Sequence, residues 1–280
     1  MSNTAAQEAE TLYVYGIVPA GSPEPAVAGI DGAELQTVTA PSGLAAVVHI
    51  HRSGPYEGPD EDVKRWVLAH SDVIDDCWTR AGAVLPVSFN VIVRPSERTG
   101  SPAIDQLTEW LDSSAGELSQ RLDELAGTSE LRVEITLDQH AQAAEHAAVR
   151  ELRAEMESRP AGVRRLLEKR LDKLERQITD QAADELFPVS RARIAAHCLQ
   201  IQGYAPSSRT KGAISVLSVA CLVDELQITA LGAELAEIRD EVPAADIRFL
   251  GPWPPYSFVD LTAPGPEQDG DQQQGQQPTA

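Results

Sequence analysis

The eleven-residue run AISVLSVACLV, residues 213–223, is apolar on both faces when read with the two-residue period of a strand. Ile214, Val216, Ala220 and Leu222 point one way, and Leu217, Val219, Cys221 and Val223 the other. A membrane-crossing helix needs about 20 such residues, so this run is too short to span a bilayer. A strand of this kind belongs in the middle of a sheet with both faces covered. It therefore demands helices on one side and a further cover on the other, for which another domain or the aromatic segment near the C-terminus is the nearest candidate.

The neighbouring segments supply the rest of such a fold. LRVEITLD, 131–138, alternates Leu131, Val133, Ile135 and Leu137 against Arg132, Glu134, Thr136 and Asp138. Helical sequence from about 140 to 186 is interrupted at Ser158-Arg159-Pro160-Ala161-Gly162, because proline and glycine disfavour a continuous rod. Strand-like runs near 191–203 and 213–224, joined by the turn-rich PSSRTKG, lead to a helix at about 225–240 and the short strand DIRFL, 246–250. The order β-α-β-β-α-β predicts a ferredoxin-like C-terminal domain over 129–262, with an extra helical hairpin inserted at 140–186.

A second, N-terminal α+β domain is expected over 11–128. Its strands are LYVYGIV, 12–18, and LAAVVHIH, 44–51; a helix starts with Asp60 as N-cap and runs to about 81. VLPVSFNVIV, 84–93, reads as a strand whose Pro86 confines it to a strand start, an edge or a bulge, and 102–126 reads as a second helix. Residues 1–10 contain no apolar core and 263–280 no large apolar side chain, and both are expected to be disordered.

The formal charge of −20 and pI near 4.6 argue against nucleic acid or an anionic membrane as partner. MSNTAAQEAE has neither the basic nor the apolar region of a signal peptide, and the chain reads as soluble and cytoplasmic. Cys77, Cys198 and Cys221 are odd in number and far apart, which fits buried reduced thiols better than disulfides or a zinc site.

Phosphate loops, GxSxG elbows, HExxH and paired CxxC motifs do not occur. His49 and His51 share one strand face and could offer two metal ligands without an identifiable third; a solvated face is the expectation. His70 falls in the apolar stripe Val63, Trp66, Val67, Ile74, Cys77 and Ala81, where a structural hydrogen bond to a backbone carbonyl is expected. Asp72, Asp75 and Asp76 turn mostly to water, as do His140, Glu145 and His146. No catalytic, cofactor-binding or metal-binding residue is assigned.

Two features point to protein partners. RPAGVRRLLEKRLDKLER, 159–176, carries 7 basic against 3 acidic residues, +4 in a chain otherwise −24. Val163, Leu167, Leu171, Leu174 and Ile178 form the helix's apolar stripe, and Arg165, Lys169, Lys173 and Arg176 lie roughly opposite, a ridge suited to an acidic protein surface. Its plain alternative is a solvated helix braced by pairs such as Arg164–Glu168 and Asp172–Arg176. GPWPPYSFV, 251–259, places Trp253, Tyr256 and Phe258 among three prolines. Each ring can hide roughly 150–250 Å², so the segment is expected to run extended across an apolar surface, with Trp253 and Tyr256 as the contacts should it dock a partner.

LYVYGIV, RWVLAHSDVIDDCW with VLPVSFNVIV, SRPAGVRRLLEKRL and GPWPPYSFV together resemble the GvpF/GvpL family of gas vesicle proteins, over nearly all of residues 12–261. One departure is Pro86-Val87-Ser88-Phe89-Asn90, where the family pattern tends to read Pro-Leu-Arg-Phe-Gly. The resemblance implies a two-domain α+β accessory protein, without catalytic activity or cofactor, that contacts the hydrophobic main shell protein and other accessory proteins to nucleate or assemble the gas vesicle. It leaves the F-like and L-like branches open. The alternative is an enzyme or small-molecule sensor on a ferredoxin-like scaffold, worked by His70 or by His49 and His51.

Overall fold

The computed structural model describes residues 10–204 and 211–259. The ends expected to be disordered, 1–10 and 263–280, and the turn PSSRTKG fall almost wholly outside those residues. The chain divides into two compact units, one running up to Ala126 and one spanning Gly127–Phe258.

The first unit contains β1 (Thr11–Pro19), β2 (Gln36–Thr39), β3 (Leu44–His51), α1 (Asp60–Ala81), β4 (Leu85–Pro86), β5 (Ile92–Val93), α2 (Ala103–Ser113) and α3 (Ala115–Leu125). β1 is central, with β3 along one edge, β4 and β5 along the other, and β2 beyond β3, all antiparallel. Leu12 to Val18 are consequently all buried, as both edges and both faces of β1 are covered. In α1 the residue before the helix is Pro59, not Asp60. Asp60, Glu61 and Asp62 form the first turn, where the helix dipole favours their charge. Gly82 closes the helix in the left-handed conformation, φ 74°, and donates its N–H to the Trp78 carbonyl at 2.9 Å.

The single strand expected over 84–93 is instead two two-residue pieces, β4 and β5, flanking a turn. Pro86 has no N–H to extend a ladder, and Asn90 turns the chain at φ 70°. Asparagine is among the side chains that tolerate this left-handed region best, so it meets the backbone requirement at the position where the resembled pattern has glycine. The helix expected over 102–126 is likewise two helices. At the joint the Ser113 hydroxyl donates to the Trp110 carbonyl at 3.0 Å, competing with the helical ladder.

The second unit contains β6 (Thr128–Asp138), α4 (Gln139–Ala143), α5 (Ala147–Glu157), α6 (Ala161–Ala195), β7 (Gln200–Gly203), β8 (Ala213–Asp224), α7 (Ile228–Glu241) and β9 (Ala245–Trp253). The antiparallel sheet runs β7-β8-β6-β9, so β8 is inserted between β6 and β7, the split βαβ arrangement read from the sequence. Leu131, Val133, Ile135 and Leu137 join Leu217, Val219, Cys221 and Val223 in a core completed by Ala183 and Ile194 of α6 and Leu231, Leu235 and Ile238 of α7. The opposite face alternates to Glu130, Arg132 and Glu134 on β6, paired with Leu222, Ala220 and Ser218 on β8.

The strand expected from 191 is a correction. α6 continues through Pro188 to Ala195, and only Gln200–Gly203 pair with β8. Ala183, Ser190 and Ile194 are buried along one stripe of the helix, and this packing outweighs the local cost of proline. β9 also runs beyond 250, to Trp253.

Candidate partner-binding surfaces

Arg165, Lys169, Lys173 and Arg176 are all exposed on α6, opposite its buried Leu167, Glu175 and Thr179. Leu171, Leu174 and Ile178 are half-buried, but Val163, expected in the apolar stripe, is exposed. The bracing pairs expected from the sequence are absent among the described residues. Asp172 instead accepts from the Gln139 amide at 3.2 Å, Arg164 reaches the Arg159 carbonyl, and Arg176 lies 3.8 Å from Asp180. Beside the ridge, α5 and α6 enclose an open groove of about 500 Å³ lined by Glu151, Glu155, Arg170 and Lys173 among others.

On the inner side of this helix lies a charge that sequence reasoning missed. Glu175 is buried at 1% exposure, accepting from Arg153 Nη2 at 2.7 Å and bonded to His140 Nδ1 at 2.6 Å. This carboxylate ties α4 and α5 to α6. His140 itself is largely exposed, as expected, whereas its ring is fixed by Glu175. The only sequence signal was an acidic residue on the apolar side of the helical wheel.

The terminal segment is organised by a second buried carboxylate, Glu130. Its oxygens accept from the Ser257 N–H at 2.6 Å, the Ser257 hydroxyl at 2.8 Å and Arg132 Nε at 3.1 Å. The chain can approach this closely because residue 251 is glycine: φ is +115°, and a Cβ there would stand 2.8 Å from the Glu130 carbonyl oxygen. Trp253 does not lie across the apolar face. It pairs with Glu130 and so shares the polar side of β6, its half-exposed ring 5.6 Å from the Arg132 guanidinium, which also faces the Tyr204 ring at 5.0 Å. Pro254, Pro255 and Phe258 are buried instead, and Tyr256 is half-buried.

The histidines of the first unit overturn another expectation. His49 and His51 are buried at 2% and 6% exposure rather than solvated. They face Tyr13, Tyr15 and Tyr56 in a cluster of rings that also includes His70 and Phe89. At His70 the donors and acceptors assign themselves. The Val87 carbonyl, 2.9 Å from His70 Nε2, can only accept, so His70 Nδ1 accepts from the Tyr13 hydroxyl at 3.0 Å, whose oxygen receives the Asn90 N–H at 3.1 Å. The Ile30 N–H donates to the Tyr15 oxygen at 2.8 Å, and the Tyr15 hydroxyl is hydrogen-bonded to His49 Nδ1 at 2.9 Å. His49 Nε2 is hydrogen-bonded to the Tyr56 hydroxyl at 3.3 Å, and His51 Nε2 donates to the Gly54 carbonyl at 2.8 Å.

Burial pushes His70 down to about 4, and burial with the neighbouring His51 does the same for His49, so both rings are neutral near pH 7. Burial pushes Tyr13 and Tyr15 upward and, with the Asp31 charge, Tyr56 up to about 12. The structural role expected of His70 is therefore present, and both nitrogens of His49 and His70 are engaged. Among the described residues no group of three His, Cys, Asp or Glu side chains is arranged to hold a metal ion. No helix there is long and apolar enough to cross a membrane.

Comparison with known proteins places this architecture. The family described as gas vesicle synthesis protein GvpL/GvpF matches residues 11–260. Gas vesicle protein L2 of Halobacterium salinarum is 32% identical, over 95% of this chain and 98% of that protein. Gas vesicle protein F1 of the same organism is 26% identical, over 93% and 98%. The crystal structure of GvpF from Anabaena superposes with a TM-score of 0.63 at 18% identity, covering 91% of this chain and 98% of the other, so the fold is shared. With a match that takes in both units and nearly every described residue, this chain belongs to the GvpL/GvpF family of gas vesicle synthesis proteins.

Proposed function

We propose that this protein is a non-catalytic gas vesicle accessory factor that binds the main hydrophobic shell protein and assists nucleation and assembly of the vesicle. It acts in the cytoplasm and in association with the vesicle, and it also contacts other accessory proteins. The family match across residues 11–260 carries this reading. The engagement of the buried histidines in internal hydrogen bonds supports it against the enzyme alternative.

The surfaces assigned to partners are the α6 ridge of Arg165, Lys169, Lys173 and Arg176, which suits an acidic protein surface, and Trp253 with Tyr256. Trp253 over Arg132 combines the side-chain types that dominate binding hot spots. Co-expression of the chain with the main shell protein, followed by affinity capture, should recover a complex. A deletion strain should form fewer or no vesicles. Absence of the complex together with normal vesicles in the deletion strain would refute the reading.

A further inference from the structure

We propose that the basic ridge of α6 docks on the acidic face of α2 in a second copy of this chain. The inference rests on the ridge being a docking surface and does not depend on binding of the shell protein. Arg165, Lys169 and Lys173 recur every four residues, which places three cations over about 12 Å of helix at 1.5 Å per residue. Among the described residues none of them, nor the adjacent Arg170, has an acidic partner within 4 Å. Leu166, 69% exposed, stands among these four cations.

The α2 face is complementary in each of these respects. Asp105, Glu109 and Asp112 are exposed, span about 10 Å of helix by the same rise, and line an open concavity of about 620 Å³ with Thr108 and Ser113. Asp112 is held in place by the Ser42 N–H at 2.8 Å, while among the described residues Asp105 and Glu109 have no basic partner within 4 Å. Ile104, 49% exposed, adjoins Asp105 as Leu166 adjoins Arg165. Two helix faces of opposite sign and nearly equal length, each with one exposed aliphatic side chain, can remove both residues from water while neutralising both rows of charge.

The two faces are different patches of one chain, so each copy offers its neighbours one ridge and one acidic face. A contact between single helix faces is small and is screened by salt, so association should be reversible and strongest at low ionic strength.

Sedimentation velocity on the purified full chain tests this without any other vesicle component. At about 20 mM salt the weight-average sedimentation coefficient should rise with protein concentration, and at about 500 mM salt it should not. The triple variant Arg165→Glu/Lys169→Glu/Lys173→Glu and the double variant Asp105→Lys/Glu109→Lys should each associate at least about 100-fold more weakly alone. An equimolar mixture of the two should regain association, because each natural face then meets its complement; circular dichroism melts confirm that both variants fold. A monomer at every concentration in low salt would overturn the proposal. So would loss of association in the ridge variant but not in the α2 variant, which would assign the ridge to another acidic patch. Either result leaves the shell-protein reading to its own capture experiment.

Discussion

In the first unit part of the buried interior is a cluster of rings that hydrogen-bond to one another, set among aliphatic side chains such as Leu107 and Leu111, whereas the core beside the second unit's sheet contains no such ring cluster and is mainly aliphatic. Tyr13, Tyr15, His49 and His70 are each nearly fully buried, yet every one of them carries a polar atom that has found a partner. In the second unit Leu131, Val133, Ile135, Leu217 and Val219 bring none, and the charged groups of β6 are sorted onto the other face, where Glu130 and Glu134 are matched by Ser257, Arg132, Tyr204 and Arg248. The difference lies in directionality. Aliphatic packing tolerates volume-conserving exchange, while a ring network fails when one hydroxyl is lost or one ring gains a proton.

The largest effects should come from aromatic truncation. Tyr13→Ala in the first unit and Phe258→Ala in the second should each cost about 3–5 kcal/mol in urea unfolding, as large truncations at buried positions do. The sharper comparison is Tyr13→Phe, which keeps the ring but leaves His70 Nδ1 and the Asn90 N–H without the hydroxyl they share. A cost of about 1–3 kcal/mol is expected from those groups alone. A neutral Tyr13→Phe would mean that the rings are held by packing, and the contrast between the units would collapse.

Acid should separate the units next. His49 and His70 have folded-state values near 4 against 6.5 for the free ring. The unfolded chain therefore takes up protons first, and the stability these neutral rings contribute is complete above about pH 6.5 and lost as pH falls from 6.5 toward 4. Between pH 7 and 5 each ring should forfeit about 2 kcal/mol. Chemical unfolding across that range, repeated with His49→Gln and His70→Gln, should show the slope shrinking with each substitution.

The smallest expected effect is at Trp253. Its ring is half-exposed and rests on Arg132, so Trp253→Ala should cost only about 1–2 kcal/mol in thermal or urea unfolding, well below Phe258→Ala. Equal costs would return Trp253 to a core role and remove it from the partner surface.

Much of this was legible in the sequence, for reasons that can be named. The double-faced apolar run became β8, and the alternation of LRVEITLD became the central β6, because period-two patterning reports which side of a sheet each residue faces. α6 past Pro188 was not legible, since distant packing of Ser190 and Ile194 decides it against the local preference. The ridge was visible as a helical charge pattern, but the burial of Glu175 was not, because its partners His140 and Arg153 lie 35 and 22 residues away. His49 and His51 resembled a wet face because polar residues on alternate strand positions normally are. Their burial depends on Tyr13 and Tyr15 across the ladder and on Tyr56 from the following loop, a coincidence of three segments that no single stretch encodes.

The most direct test of the contrast between the two units is the protonation of the buried rings themselves, read from the ¹⁵N and ¹³C shifts of selectively labelled histidine as pH is lowered. The account predicts that His49 and His70 remain neutral, His70 with its proton on Nε2, through pH 6 and begin to titrate only near 4 or as the protein unfolds. Titration of either ring near 6.5 in the folded protein, or a proton on Nδ1 of His70, would contradict it.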